Sequence, residues 1–489
     1  MRLIYQLFLY FIVLVALQAC TESNQETVTP AAQSQENLSD IVMEVTAQNA
    51  IELNDEQIDN IVRRSYQYVA MYNVISHGAL NKKNPQYTDG WNRMFVATTL
   101  ADHNMKSIPR PNNDSLYLPV SLDQRDDAVV VKFPAFDSSF VVLETSSYDH
   151  YIDIPLSTTY GDFRKPTTML FYTVRTKGYN GEPIKGIDKT LKMSGDFAAA
   201  FLRVMPHANE PERMKRIIAE MQSLEVMTLS EFLGKPEKPV SNVEFPAYAN
   251  PQTVFKNNFQ QVMQFVVNHT TFDPGDQMDN KVLAALKPIG VEPGKAFDPS
   301  SLPEIDGAQL AKVAASIAQE SLQVWNTPEG NPHVNDVFLP KGQMNLEAMV
   351  VQSAVGPIGL PAHQAEYPGI GTVYASPMMS NQRYIVRMTK NQLPPATAFW
   401  SVTLYDAVNG FFIPNDTRKY SVGENTGMKL DASGGIEIHI APTRPEGVPM
   451  QNWLPAGDKV QRLDMIMRIY GPDVEKMKKW TVPKAELVE

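Results

Sequence analysis

The chain has 489 residues, 43% hydrophobic and 20% charged, a composition typical of a globular protein with two or more hydrophobic cores. The net charge of −11 at pH 7 argues against binding to nucleic acid or to anionic lipid. Because 36 prolines accompany only 26 glycines, many short strands and fixed loops are favoured over a helical bundle.

The first 20 residues resemble a bacterial lipoprotein signal rather than part of the fold. Residues 3–16 are almost wholly apolar, and residues 17–20, LQAC, resemble a lipoprotein cleavage box. The apolar run is shorter than the roughly 20 residues that span a bilayer. We therefore predict a signal peptide over residues 1–19 and lipidation of Cys20, the single cysteine of the sequence. The alternative is an ordinary signal peptide or a short membrane anchor.

A polar stretch follows the predicted lipid anchor. Residues 21–39 are rich in Gln, Ser, Thr, Glu and Asn and lack hydrophobic periodicity, which predicts a flexible tether over residues 20–50. Thr21 rather than Asp follows the cysteine, and by resemblance to lipoprotein sorting signals this favours the outer membrane over the inner. We expect the body of the protein in the periplasm or at the cell surface, bound to the membrane through the lipid.

Hydrophobic periodicity predicts an N-terminal helix and then a first β domain over residues 55–190. Asn54 and Gln57 resemble a capping box, and apolar residues recur at helical spacing from residue 55 to about residue 77. Runs of β-branched and aromatic residues between turn residues then predict strands over residues 126–133, 140–145 and 168–176.

A helical region is predicted over residues 191–330. Apolar residues recur there with a period near 3.6, and Asn250-Pro251 supplies a cap followed by proline at the first helical position. A methionine stripe in the second helix is interpreted as core packing rather than a cofactor site. The predicted helices cover residues 193–205, 211–224, 251–267 and 308–325.

A second β domain is predicted over residues 340–485. Strand alternation places Phe399 and Trp400 on opposite faces, and Asn409-Gly410 predicts a hairpin turn with a return strand over residues 411–413. Two β regions around a helical insert predict an α+β fold, with two antiparallel β-sandwich-like domains and an N-terminal helix. The predicted strands cover residues 384–388, 399–405, 436–440 and 463–470.

Two groups of motifs resemble a pair of known families. RPNNDSLY (residues 110–117) and the following FVVLETSSYD are similar to the signature of domain of unknown function 1254. LPPATAFWSVTLYD, NDTRKYSVG, NWLPAG and MRIYGP are similar to its usual C-terminal partner, domain of unknown function 1214. The resemblance covers roughly residues 55–485. It implies a secreted or periplasmic protein with two β-sandwich-like domains, and it implies no particular activity.

Polar and aromatic residues at strand ends are candidates for a ligand site. Arg110 offers bidentate donors for a carboxylate, whereas the Asn and Asp residues that follow it favour a turn. Arg468 lies on a predicted sandwich strand and needs a partner, for which Asp406 and Asp416 are candidates. These residues form either a buried structural network or the polar groups of a cleft. The candidate ligand-binding residues are Arg110, Asn112, Asn113, Asp114, Tyr117, Tyr148, Trp400, Tyr405, Arg418, Tyr420, Trp453 and Arg468.

Catalytic chemistry has weaker support in the sequence. Residues 148–153, YDHYID, combine Tyr, Asp and His, but neighbours on a strand point to opposite faces, so that Asp149 and His150 cannot easily meet. The eight histidines lack metal-ligand spacing, and the sequence contains no GxSxG, P-loop or complete dinucleotide loop. We predict neither metal nor cofactor. The sequence does not decide between an enzyme and a binding protein.

Three functions are compatible with these features. The first is a membrane-anchored envelope lipoprotein that binds a small or polymeric ligand, such as a glycan, between its two β domains. The second is a hydrolase-type enzyme with a site near Arg110, Asp114, Tyr117 and Tyr148, and the third is a structural envelope-assembly protein. Each is compatible with a homo-oligomer. An open pocket that reaches Arg110 and Asp114 favours the enzyme, whereas complete pairing of these groups favours the structural role.

Overall fold

The computed structural model describes residues 51–106, 108–325 and 332–488. The predicted signal peptide, Cys20 and the tether lie outside the described residues. Within the described ranges, no helix combines the length and the hydrophobicity that crossing a membrane requires.

The N-terminal sandwich packs a five-stranded sheet against a four-stranded one. Its strands are β1 (Arg93–Met94), β2 (Leu116–Asp123), β3 (Val129–Phe133), β4 (Val141–Ser147), β5 (Ile152–Ser157), β6 (Thr167–Tyr172), β7 (Lys189–Lys192), β8 (Phe197–Val204) and β9 (Glu225–Thr228). The larger sheet has the order β1-β2-β8-β4-β5 and the smaller β7-β6-β3-β9. Leu118 and Leu202 of the larger sheet meet Val131 and Phe171 of the smaller one in a shared core. The apolar residues that alternate along each strand thus form one apolar face per sheet, and these two faces pack against each other.

The C-terminal sandwich has the same two-layer plan. Its strands are β10 (Ala365–Glu366), β11 (Met378–Met379), β12 (Tyr384–Met388), β13 (Ala396–Asp406), β14 (Ser421–Gly423), β15 (Ile436–Ala441), β16 (Trp453–Pro455), β17 (Arg462–Pro472) and β18 (Ala485–Leu487). One sheet has the order β10-β17-β13-β14, with β11 also on β17, and the other β16-β15-β12-β18. Trp400 and Met467 of the first sheet pack against Val386 and Ile438 of the second.

The described residues contain the helices α1 (Asp55–Leu80), α2 (Pro211–Gln222), α3 (Leu229–Phe232), α4 (Pro251–Asn257), α5 (Phe259–Asn268), α6 (Gln277–Leu286), α7 (Gly307–Trp325), α8 (Leu346–Val355) and α9 (Val474–Met477). Helices α1 and α4 to α8 form a layer over part of the outer face of the larger N-terminal sheet. The other three lie elsewhere: α2 packs into the core of the N-terminal sandwich, α3 beside the smaller N-terminal sheet and α9 beside the C-terminal core. Helix α1 lies at the centre of the helical layer. Its Tyr72 belongs to the same apolar cluster as Tyr148 and Phe197, which come from the larger N-terminal sheet and the turn after β4.

The outer face of the larger N-terminal sheet therefore has two halves. Phe197 and Phe201 of β8 lie in the helical half, in the apolar cluster built around α1. Val142 of β4 lies in the other half, where it packs with Phe399 and Tyr470 of the C-terminal sandwich. The second half is thus the place where the two sandwiches meet.

The α+β class with two sandwiches is confirmed, as is the capping box at Asn54 and Gln57. The helix predicted over residues 193–205 is wrong, because this stretch contains strand β8. Its sequence, FAAAFLRV, is rich in good helix formers, but β8 pairs with β2 on one side and β4 on the other, and every residue in it is buried. Cross-strand pairing and burial override the local propensity.

Two further predictions need correction. The predicted helix over residues 251–267 is two helices, α4 and α5, separated at Asn258. The return strand over residues 411–413 is wrong, because Tyr405 and Phe412 form a single isolated bridge. The carboxylate of Asp406 accepts the backbone N–H groups of Asn409 and Phe411, at 2.6 and 3.1 Å, and this closes a wider loop than a two-residue hairpin.

Candidate functional site

Residues 110–114, just before β2, form hydrogen bonds and an ion pair with the C-terminal sandwich. The Arg110 N–H donates to the Gly410 carbonyl at 2.7 Å, and the Arg110 Nε lies 2.6 Å from the Asp464 carboxylate. The Tyr405 hydroxyl donates to the Pro111 carbonyl at 2.7 Å. These contacts hold Arg110 in the left-handed region, with φ of +50°.

Asp114 is the buried carboxylate of this segment. It is 1% exposed, and its carboxylate accepts the hydroxyls of Ser401 at 2.6 Å and Tyr470 at 3.2 Å, while Asn425 donates to its carbonyl at 2.7 Å. Burial raises the pKa of Asp114, and the charge of Arg468 and the two hydroxyls oppose that rise. These side-chain donors all come from the C-terminal sandwich.

Arg468 lies on the same face of β17 as Tyr470, as strand alternation predicts. It is 4% exposed; its Nη1 donates to the Thr403 hydroxyl at 2.9 Å and its Nη2 to the Arg110 carbonyl at 3.1 Å. Its guanidinium also lies 5.7 Å from the ring centroid of Tyr405. The direct contacts of this cation are therefore neutral acceptors and a ring face rather than the expected Asp406 or Asp416, and Asp114 is the carboxylate whose charge acts on it.

The N-terminal sandwich contributes a buried ion pair to the same interface. Arg203 of β8 and Glu144 of β4 are 4% and 2% exposed, and the Arg203 Nη2 donates to the Glu144 Oε1 at 3.2 Å. The Arg203 Nη1 lies 3.0 Å from the Glu144 Oε2, but this contact is not an aligned hydrogen bond. Burial raises the pKa of Glu144, and the charge of Arg203 opposes that rise. The Arg203 Nη1 and the Glu144 Oε2 are therefore buried without an aligned hydrogen bond.

Two tyrosines border these groups. Tyr117 pairs with Arg203 across β2 and β8, and its ring centroid lies 5.7 Å from the guanidinium. Tyr367 directly follows β10, and the register of β10 with β17 continues to place it opposite Arg468. Tyr367 is 39% exposed, yet burial raises the pKa of its hydroxyl to about 12, with Arg203 opposing. Tyr367 is therefore a partly exposed tyrosine beside the buried Arg203 and Arg468.

We call this feature the inter-sandwich recess and define it by Tyr117, Glu144, Arg203, Tyr367 and Arg468. Its charged groups are desolvated, and its tyrosines keep contact with solvent. Clefts with aromatic walls and a few convergent polar groups bind small molecules.

Eight of the twelve predicted ligand-binding residues lie at or beside this interface. Asn112 donates to the Tyr470 hydroxyl at 2.9 Å, and the neighbouring Asn113 keeps a buried Oδ1 without a partner. Tyr420 stacks on Phe412 and lies 2.6 Å from the His103 Nδ1 through its hydroxyl. The predicted residues that meet here are Arg110, Asn112, Asn113, Asp114, Tyr117, Tyr405, Tyr420 and Arg468.

Four predicted residues lie elsewhere. Trp400 faces the core of the C-terminal sandwich, and the Trp453 Nε1 donates to the Ala441 carbonyl at 2.9 Å. Arg418 is exposed in a turn. Tyr148 is buried in the helical half of the sheet, so the structure does not bring it together with Arg110, Asp114 and Tyr117.

Sequence reasoning missed three residues of the inter-sandwich recess. Glu144 lies inside the apolar run FVVLET, Arg203 inside the stretch predicted as a helix, and Tyr367 beside a two-residue strand. The available signal was that a charged residue inside a buried strand needs an oppositely charged partner.

A second polar interior lies under the helices. Asp149, Asp153, Asp279 and Lys341 form what we call the acid pocket: the Lys341 Nζ is 2.5 Å from the Asp279 Oδ2 and 3.9 Å from the Asp149 Oδ2. Burial raises the pKa of Asp149 to about 6, and Lys341 opposes that rise. Burial and the nearby charge of Asp149 raise the pKa of Asp153 well above its usual range.

His150 does not belong to the acid pocket. Its Nε2 donates to the Pro357 carbonyl at 2.8 Å, its Nδ1 lies 2.7 Å from the Ser353 hydroxyl, and burial lowers its pKa to about 4. It is therefore neutral at pH 7. Across the described ranges, no group of three or more His, Cys, Asp or Glu side chains has the geometry to hold a metal ion.

Comparison with known proteins agrees with the motifs. Residues 91–227 match the family described as Protein of unknown function (DUF1254), and residues 375–474 match Protein of unknown function (DUF1214). The VPA0106 protein from Vibrio parahaemolyticus is 23% identical with a TM-score of 0.67, over 89% of this chain and 99% of that one, which shows a shared fold. A putative uncharacterized protein from Burkholderia cenocepacia is 14% identical with a TM-score of 0.41, over 89% of this chain and 96% of that one. No curated protein matches. The chain thus contains a region that matches DUF1254 followed by one that matches DUF1214, in the order that its motifs predict.

Proposed function

We propose that this protein is a lipid-anchored envelope protein that binds a small, hydroxyl-rich ligand of the glycan class in the inter-sandwich recess. The observation that carries the proposal is the incompletely bonded Arg203–Glu144 pair beside two accessible tyrosine rings.

The ion pair favours a hydroxyl as the recognised group. The Arg203 Nη1 offers a donor, and the Glu144 Oε2 offers an acceptor 3.0 Å away. A single hydroxyl can accept from the first and donate to the second, whereas a carboxylate would repel Glu144 and an ammonium would repel Arg203.

The charge balance and the rings agree with a neutral ligand. Two arginines, Arg203 and Arg468, face two carboxylates, Glu144 and Asp114, so that the formal charges around the recess cancel. The ring of Tyr367 adds flat apolar contact area at little cost in side-chain entropy. Neutral saccharides combine hydroxyls with an apolar ring face.

A thermal-shift screen of neutral mono- and oligosaccharides tests the ligand. A ligand at 100 times its dissociation constant stabilises the folded state by about 2.7 kcal/mol, which a melting curve resolves. We expect Tyr367→Ala to abolish the shift of the best ligand. The matched control is Tyr374→Ala, because Tyr374 is 88% exposed and lies outside the recess. A shift that survives Tyr367→Ala and Arg203→Lys would place the ligand elsewhere and refute this site.

The anchoring rests on the LQAC box and on Cys20. Metabolic labelling with a fatty-acid analogue tests it: the full chain should take up label and fractionate with membranes, and Cys20→Ser should do neither. Label that persists in Cys20→Ser would contradict the lipoprotein assignment.

A structural role is the second candidate, and Asp114 favours it. This carboxylate is 1% exposed and bonded to Ser401 and Tyr470, as expected for a group that holds two domains together. A protein that binds none of the screened ligands but depends on Asp114 for stability would support this role. The hydrolase alternative has less support, because Asp114 is enclosed and Tyr148 lies apart from it.

A further inference from the structure

Two exposed aromatic rings lie close to the junction between the sandwiches. Among the Tyr, Phe and Trp side chains of the described residues, four are exposed: Tyr160, Phe297, Tyr367 and Tyr374. Tyr367 borders the inter-sandwich recess, and Tyr160, which is 59% exposed, ends the short turn that follows β5. A single exposed ring needs no explanation, but two rings beside one recess indicate a surface for a ligand.

The ring of Tyr160 lies against the segment that leads into β10. Its centroid is 6.1 Å from that of His363, with an interplanar angle of 39°. Beside this pair, the Gln364 Nε2 donates to the Thr159 Oγ1 at 3.4 Å. Gly471 of β17 packs so closely on Thr159 that a Cβ at Gly471 would lie 2.9 Å from the Thr159 methyl group. The Tyr160–His363 pair is therefore formed across the boundary between the two sandwiches.

This pair is also near the recess. Tyr367 follows His363 by four residues, and four residues of extended chain span at most about 14 Å. Tyr367 in turn lies opposite Arg468 in the continued register of β10 with β17, and the charge of Arg203 acts on its hydroxyl. A short linear oligosaccharide spans the distance from the recess to Tyr160, whereas a single sugar ring does not.

The Tyr160–His363 pair suits a neutral sugar. Burial lowers the pKa of His363, so its imidazole is uncharged at pH 7. The ring of Tyr160 offers a flat apolar face at little cost in side-chain entropy. An uncharged aromatic pair thus continues the preference for a neutral ligand that the balanced charges of the recess favour.

We propose that Tyr160 and His363 form a second saccharide subsite, so that the protein binds a linear oligosaccharide with one unit in the inter-sandwich recess and a later unit on the Tyr160 ring. This inference rests on the proposed function, because the recess supplies the polar contacts of the first unit. The second subsite adds stacking contact rather than recognition of a hydroxyl, and its contribution therefore appears as a gain in affinity with chain length.

Calorimetric titration of the full chain tests the second subsite. The probes are glucose, galactose, mannose and N-acetylglucosamine, each as the single sugar and as its linear tetramer, and the readout is the ratio of the two Kd values. For at least one sugar we expect the tetramer to bind roughly tenfold more tightly. Tyr160→Ala should bring the ratio close to unity, whereas Tyr160→Phe, which keeps the ring and removes the hydroxyl, should retain it.

Tyr374→Ala is the control for loss of an exposed ring. Tyr374 is 88% exposed and lies outside both subsites, so this variant should keep the full ratio. A ratio near unity in the unmodified protein, or one that survives both Tyr160→Ala and His363→Ala, would refute the second subsite without contradicting the recess. Absence of binding by every one of these sugars would refute the recess and the second subsite together.

Discussion

The inter-sandwich recess and the acid pocket are two polar interiors of the same protein with opposite charge balance. The buried charges of the recess are Arg203, Arg468 and Glu144, and Asp114 lies beside them within reach of the charge of Arg468. In the acid pocket, one lysine, Lys341, faces three carboxylates. The recess therefore has a positive charge for each negative one, whereas the acid pocket has an excess of acid.

This difference decides which interior responds to pH. Arginine stays protonated, so each buried carboxylate at the recess keeps a positive charge beside it across the physiological range. The acid pocket cannot hold three buried negative charges beside one positive charge, and its carboxyl groups keep protons to higher pH. Because the folded-state pKa of Asp149, about 6, exceeds its unfolded value, folding binds protons there. The contribution of Asp149 to stability is complete below about pH 4 and is lost as pH rises through about 6.

The largest effect on stability is expected for Arg203→Met, which removes the positive charge beside Glu144 in the recess. The change leaves Glu144 buried without a countercharge, and we expect a loss of about 3–5 kcal/mol in the free energy of unfolding at pH 7. Urea denaturation measures it. In Arg203→Met/Glu144→Leu, where both charges are gone, most of the loss should be recovered. A double variant as unstable as the single one would mean that packing, not charge, dominates at this pair.

The next effect comes from Lys341→Met in the acid pocket. We expect the free energy of unfolding to fall by about 2–3 kcal/mol at pH 7. This loss is smaller than the one expected for Arg203→Met, because 26% of the Lys341 side chain is exposed. The loss should shrink as pH falls towards 5, since each protonated carboxyl no longer needs the ammonium. Lys295→Met is the matched control: its pair with Glu292 is on the surface and should cost little at either pH. A loss in the free energy of unfolding that does not change with pH would contradict the raised pKa values of the carboxyl groups in the acid pocket.

The smallest effect is expected at the rim of the interface, for Arg110→Ala. The pair with Asp464 is partly exposed, so its loss should cost at most about 1 kcal/mol. Arg110→Gly should be more stable than Arg110→Ala by about 1 kcal/mol, because glycine adopts φ of +50° without strain. Thermal unfolding of the two variants side by side measures the difference, and equal melting temperatures would mean that the backbone relaxes.

Local patterns were sufficient to predict the two sandwiches and several site residues. Tyr384–Met388 and Ile436–Ala441 alternate and are bounded by turn residues, and this signal lies within each strand. Asp114 and Arg468 were predicted because their motifs are polar at strand ends. Strand alternation also placed Arg468 and Tyr470 on one face, as observed.

The rest of the site depends on contacts that no local pattern contains. Arg203 and Glu144 are 59 residues apart, and they meet only because β8 lies between β2 and β4. The alanine-rich sequence of β8 favours a helix when it is considered alone, and pairing with β2 and β4 makes it a strand. The hydrolase alternative placed Tyr148 in one site with Arg110, but the larger N-terminal sheet has two outer halves with different neighbours, and Tyr148 lies in the helical one.

Asp114 also bears on how such a protein can evolve. One family's segment supplies the acid, and the other family's strands supply the hydroxyls of Ser401 and Tyr470 that solvate it. A gene that lost its C-terminal half would encode a first half in which Asp114 and the apolar side chains of Phe140 and Val142 lose their cover and face water. We therefore expect the two halves to be inherited as a single unit.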